Sequence, residues 1–143
     1  MSKVKVLVVE DTDLIRNTLS LRLQKEGHEV DAVGSVNKAL HAIRTKMPDL
    51  IVLDLHLVDH EDPLPGLTDG FAVVRMLRLN YPEANPGVII YTVTRTADVQ
   101  SQAQSMGVST VIEKKSGILP VLTAIREALT PKGGGQKDTP AAA

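Results

Sequence analysis

Cysteine and tryptophan are absent from this chain, and its aromatic residues are one Phe and two Tyr. Without cysteine there is no disulfide framework, no thiolate zinc site and no cysteine nucleophile. So few rings leave little with which to stack unpaired bases. An excess of one charge is also missing: 16 Lys and Arg stand against 17 Asp and Glu, a net charge of -1. No global field therefore draws the chain to nucleic acid or to a membrane surface, and neither is expected as a partner. Met1 to Lys5 runs straight into Val6-Leu7-Val8-Val9, with no long apolar segment and no small-residue cleavage site, so a cytoplasmic location is expected. What is present is 143 residues, 43% of them hydrophobic, enough for one domain with one core.

Two hydrophobic periods alternate along the chain. Val4 to Val9 is a β-branched run, and Asp13 then opens a helical pattern with Ile15, Leu19 and Leu23 on one face, stopped by Gly27. His28 to Val33 reads as a short strand in which Val30 and Ala32 alternate with Glu29 and Asp31. Ser35 is a plausible cap for a helix burying Val36, Ala39, Leu40 and Ile43. Leu50 to Leu55 is apolar except for Asp54 and reads as a central strand buried on both faces. A long connection, Leu57 to Asp69, carries Pro63, Pro65 and Gly66 and precedes a helix from Gly70 to Leu79 that buries Phe71, Val74 and Leu77. Val88 to Thr92 is a fourth strand. Ala97 to Met106 is a polar, weakly anchored helix ended by Gly107, expected to be the least stable. Val108 to Ile112 is a fifth strand, and Ser116 is expected to cap a last helix burying Ile118, Leu119, Leu122, Ile125 and Leu129.

Strands alternating with helices give an α/β domain, a doubly wound parallel sheet of five strands with helices on both faces. The strand order 2-1-3-4-5 suits five strands better than the six-strand dinucleotide fold. Glu10-Asp11-Thr12-Asp13 follows the first strand with no Gly-rich turn, which disfavours a dinucleotide or P-loop site. In this order the first and third strands are neighbours, so Glu10, Asp11 and Asp54 converge at the switch point. Thr92 and Lys114, at the ends of the fourth and fifth strands, flank the same crevice. Clustered carboxylates repel unless a cation neutralises them, and Mg2+ takes oxygen ligands and keeps company with phosphate. A lysine and a hydroxyl beside it suit a phosphoryl group, and Asp54 can then act as a nucleophile forming an aspartyl phosphate.

From Lys3 to Leu129 the chain resembles the receiver domain of two-component response regulators. The likeness rests on Val8-Val9-Glu10-Asp11, Ile51-Val52-Leu53-Asp54, Asp69-Gly70, Thr92 and Glu113-Lys114, with Gly107 in the interval between the last two. The resemblance implies a flavodoxin-like receiver domain over residues 1–130, and the Gly/Pro/Ala-rich composition of residues 131–143, with nothing to pack against, reads as a flexible tail or severed linker. It implies that Asp54 accepts phosphate from a phosphohistidine on a sensor histidine kinase or histidine phosphotransfer protein. Mg2+ would be held by Glu10, Asp11, Asp54 and the backbone carbonyl of His56. Thr92, Val93 and Lys114 would act as the phosphate-binding switch, changing the face built from the fourth helix, fifth strand and fifth helix for a downstream protein or output domain. A homodimer is compatible with such a face.

Departures from the family pattern are concentrated at the switch. Val93 is β-branched where a small residue is usual, Val111 replaces an aromatic, so that an aromatic toggle is missing unless Tyr91 substitutes from another place, and Lys115 replaces proline. Before a non-proline residue a cis bond costs roughly 2.5–4 kcal/mol, so Lys114-Lys115 is expected to be trans. The loop after Asp54 is longer than usual and carries Asp59, His60, Glu61 and Asp62, which read as a lid beside the site or as a solvated decoration. Two other readings stand beside the phosphorylation switch. One is a phosphate-independent interaction module on the same fold. The other is an aspartyl phosphatase, weakened because His56 stands where such enzymes place a second Asp. On the favoured reading the domain is regulatory and is no enzyme beyond assisting its own phosphotransfer and dephosphorylation.

Overall fold

The computed structural model describes residues 4–57, 70–93, 95–108 and 110–129. The proposed lid, Asp59, His60, Glu61 and Asp62, and the tail after 130 lie outside the described residues. Five parallel strands form one sheet in the order β2-β1-β3-β4-β5, as the alternation of patterns predicts. The strands are β1 (Lys5–Val9), β2 (Glu29–Val33), β3 (Leu50–Leu53), β4 (Gly87–Thr92) and β5 (Thr110–Glu113). The helices are α1 (Asp13–Lys25), α2 (Val36–Thr45), α3 (Phe71–Asn80), α4 (Ala97–Ser105) and α5 (Leu119–Leu129).

Because successive side chains of a strand point to opposite faces, the sheet divides the interior in two. Leu7, Val9, Ile51, Leu53, Ile90 and Val111 join Ala39, Ile43, Val74 and Leu77 of α2 and α3, with Ala103 of α4, in one layer. Val6, Val8, Val52, Ile89 and Tyr91 join Leu19 and Leu23 of α1 and Leu122 and Ile125 of α5 in the other. Both faces of β1 and β3 are thus covered, which explains why their sequences are continuously apolar instead of alternating.

Helix ends follow local chemistry. The Ser35 hydroxyl accepts from the Lys38 N–H at 3.2 Å and the Thr96 hydroxyl from the Val99 N–H at 3.2 Å, contacts worth about 1 kcal/mol each. Gly27 at φ +91° and Gly107 at φ +79° end α1 and α4 in the left-handed region that a Cβ disfavours. Only Ala103 of α4 is buried, with Val99 and Met106 half-buried. Among the described residues no helix is long and apolar enough to cross a membrane.

Three expectations need correction. Ser116 does not cap the last helix: it closes a short 3-10 turn, Lys114–Ser116, followed by Gly117 at φ +84°. α5 starts only at Leu119, where the backbone carbonyl of Ile118 accepts from Leu122. That later start leaves Leu119 64% exposed, and Val121 replaces it in the buried stripe. In β2, Ala32 is exposed while Glu29 and Asp31 are half-buried. An edge strand has one neighbour, and both acidic residues close on the buried Lys5 ammonium of β1, at 3.2 and 3.0 Å. Finally, β5 is Thr110–Glu113, and Val108, although buried, precedes the strand.

Candidate functional site

β1 and β3 run parallel with Val9 opposite Leu53, so the next residues, Glu10 and Asp54, leave the sheet at the same height. The ladder continues into them: the Asp54 N–H donates to the Val9 carbonyl and the Glu10 N–H to the Val33 carbonyl, both at 2.9 Å. Both carboxylates are almost wholly buried, Glu10 at 1% and Asp54 at 2% exposure. Together with half-buried Asp11 they offer three carboxylate oxygens within 4.8 Å of one another.

Lys114, the first residue after β5, reaches across β4 into this cluster. Its Nζ lies 2.9 Å from Glu10 Oε1, 3.0 Å from Glu10 Oε2 and 3.2 Å from Asp54 Oδ2. Two backbone donors add to these contacts: Thr12 N–H donates to Glu10 Oε2 at 3.0 Å and His56 N–H to Asp54 Oδ1 at 3.1 Å. Burial, followed by the neighbouring Glu10 charge, pushes the Asp54 carboxyl up to about 7 despite the His56 N–H and Lys114. Burial pulls the Lys114 ammonium down, but its bond to Glu10 and the Asp54 charge outweigh this and hold it above its ordinary value. The cluster therefore sets three carboxylates against one bridging ammonium.

Thr92 ends β4 and is fully buried, and Val93 after it is 59% exposed. His56 is exposed and contributes its N–H to Asp54. Asp13 opens α1 and pairs with Arg16, while the N-cap position is Thr12. No cis peptide bond occurs among the described residues, Lys114-Lys115 included.

Two contributors escaped the sequence reading, and a third was seen there only in another role. Arg16 of α1 donates from Nη1 to the Glu10 carbonyl at 2.8 Å, holding the backbone between the two acidic residues. Gly70 docks the start of α3 on the far side of Asp54: its N–H donates to the Leu55 carbonyl at 2.9 Å. A Cβ there would lie well inside van der Waals contact of the Asp54 carbonyl oxygen and 2.9 Å from Leu55 Cα. The sequence marked Gly70 only as the junction of a loop and a helix. Tyr91, which the sequence offers only as a stand-in for the aromatic missing at Val111, has its ring centroid 6.0 Å from Lys114 Nζ.

A buried aspartate at the end of the central strand, an acidic neighbour pair and a bridging lysine on this sheet order define a receiver domain. Residues 6–126 match the family model described as the response regulator receiver domain, and the chain belongs to that family of two-component signalling domains. Among curated proteins it is similar to the transcriptional regulatory protein AfsQ1 of Streptomyces coelicolor, 42% identical over 73 residues, 51% of this chain and 29% of that protein. It is also similar to the virulence transcriptional regulatory protein PhoP of Salmonella typhimurium, 27% identical over 131 residues, 92% of this chain and 54% of that one. The chain thus spans about half or less of these relatives' length. Its fold is shared with the non-phosphorylated HemR receiver domain of Leptospira biflexa, with TM-score 0.78 at 22% identity, covering 94% of this chain and 100% of that one. The BeF3-activated receiver domain of Klebsiella pneumoniae RstA gives TM-score 0.72 at 23% identity over 89% of this chain and 99% of that one.

Proposed function

We propose that this domain is a phosphorylation-dependent switch in which Asp54 is the phosphoacceptor. The observation that carries the reading is the single Lys114 ammonium shared between buried Glu10 and buried Asp54. An Asp54 carboxylate oxygen attacks the phosphorus of a phosphohistidine on a sensor kinase or phosphotransfer protein. The new P–O bond forms as the P–N bond breaks, and the bonding pair returns to the imidazole nitrogen. Asp54 needs no base, because above pH 7 it is already ionised. Lys114, freed from part of its bridge, pairs with a phosphoryl oxygen, and the Thr92 hydroxyl donates to another.

Glu10, Asp11 and Asp54, with the carbonyl of His56, would hold Mg2+. Three hard oxygen donors within 4.8 Å of one another, one of them with its carboxyl pushed up to about 7, suit such an ion. When bound it neutralises the carboxylates and the transferring phosphoryl oxygens. The movement of Lys114, Thr92 and Val93 would alter the face of α4, β5 and α5 for a downstream protein or output domain. Such a domain is regulatory, turning over only its own phosphoryl group.

Incubation with acetyl phosphate and Mg2+ tests this. The parent should acquire one acid-labile phosphoryl group, and Asp54→Asn should acquire none. Equal labelling of the two proteins overturns the assignment.

A further inference from the structure

Lys114 leaves β5, yet its partners stand on β1 and β3, so its side chain must pass over the end of β4. The residue of β4 beneath that path on the α1 and α5 side is Tyr91, 4% exposed and in the same buried layer as Val8, Val52 and Leu122. The Lys114 ammonium stands over its ring at 6.0 Å from the centroid. Val111, on the neighbouring strand, points into the opposite layer and offers no such surface. We infer that Tyr91 is a positioning residue: its aromatic face is the floor that keeps the Lys114 ammonium extended toward Asp54, instead of letting the stem fold back toward solvent.

Physical chemistry favours the ring over an aliphatic residue of similar bulk. A lysine stem has four rotatable bonds, and an ammonium loses hydration on entering a buried acidic cluster. A ring quadrupole beneath the cation returns part of that loss, most effectively where water is excluded. Lys114 has only 13% side-chain exposure, so the contact acts in a dry setting. β4 also pairs Tyr91 with Ile112 and Thr92 with Glu113, so the ring is fixed in height relative to the strand that delivers the lysine. The hydroxyl is not needed for this role; the face is.

The inference rests on the phosphoacceptor reading for its kinetic consequence but not for its structural one, and two measurements separate them. In the free protein, NMR of the Lys114 side chain should give the same Cε–Hε resonances in the parent and Tyr91→Phe and displaced ones in Tyr91→Leu. Identical spectra in all three overturn the proposal whatever the phosphorylation result. With acetyl phosphate, Tyr91→Leu should label about two- to tenfold more slowly at saturating donor, while Tyr91→Phe labels like the parent. In the Lys114→Ala background the same Tyr91→Leu change should have no further effect. An equal fold-loss in both backgrounds would mean that Tyr91 only fills the core and would overturn it. Failure of the parent to label at all tells against the phosphoacceptor reading and leaves the NMR comparison to decide on Tyr91.

Discussion

Replacing Gly70 with alanine tests how closely α3 is docked on the backbone of Asp54. Gly70 has ordinary helical dihedrals, φ -59° and ψ -25°, so the substitution costs nothing in backbone conformation. The whole penalty is steric. The new methyl would overlap the Asp54 carbonyl oxygen and sit 2.9 Å from Leu55 Cα, both backbone atoms that cannot rotate away. To reach ordinary contact the start of α3 must retreat by roughly 1 Å, which loosens the Gly70 N–H bond to Leu55, worth about 1 kcal/mol. It also disturbs Phe71, Val73 and Val74, all buried in the first turn, at an overpacking cost of about 1–3 kcal/mol. The entropy gained by removing a glycine offsets about 0.5–1 kcal/mol. A net loss of about 1–3 kcal/mol is expected, seen in equilibrium urea unfolding as a midpoint lower by roughly 1 M. Gly27→Ala is the control: a Cβ there meets nothing within 4 Å, and only φ +91° is strained, costing about 1–2 kcal/mol. Acetyl phosphate labelling should fall in Gly70→Ala, where the Asp54 backbone is displaced, and stay unchanged in Gly27→Ala. If Gly70→Ala unfolds at the parent's urea concentration or above it, the close approach is not real.

Asp54 should also be visible in the pH dependence of stability. Its folded value of about 7 lies above the ordinary 3.8, so between these values the folded state binds the extra proton, and stability falls as pH rises through that window. In chelator, Asp54→Asn should flatten this slope and, at pH 8, exceed the parent by on the order of 1–3 kcal/mol; a parent curve flat from pH 4 to 7 contradicts it. Asp11→Asn should weaken Mg2+ binding about tenfold or more by titration calorimetry, whereas Lys114→Ala should bind Mg2+ at least as well as the parent, since it removes a competing cation. Weaker binding in the lysine variant would show that the ammonium supports the metal site. Amide hydrogen exchange should be fastest, among the helices, in α4, which buries only Ala103; protection there equal to that of α3 would refute the link between burial and local opening.

How far the site was legible followed from what kind of contact made it. Glu10, Asp54 and Lys114 could be found because parallel strands in a known order deliver their C-terminal residues to one edge, and the Val9 to Leu53 register does the rest. α1, α2 and α3 were readable from their periodic apolar residues, and Gly27 and Gly107 from the left-handed turn each supplies. The start of α5 was misread because Ser116 satisfies the usual capping signal, while Gly117 after it breaks the phase and turns Leu119 outward. The contacts of Tyr91, Arg16 and Gly70 were not legible for a common reason. Their partners, the Lys114 ammonium and the Glu10 and Asp54 carbonyls, are defined only once helices and strands have packed, and nothing in local pattern marks a ring as a floor or a missing Cβ as clearance.

The division of the interior by the sheet bears on how the sequence can vary. Val8 and Val9 are adjacent in the chain but belong to different packing layers, and the side chains of Leu19 and Leu77 are screened from one another by a full thickness of backbone. Truncations on opposite sides share no cavity, so their costs should sum, whereas two truncations on one side should interact. Each half-core can therefore drift in composition with little regard to the other. The constraint common to both falls on the backbone at the strand ends, where Glu10 and Asp54 emerge and neither layer can shift without moving a carboxylate.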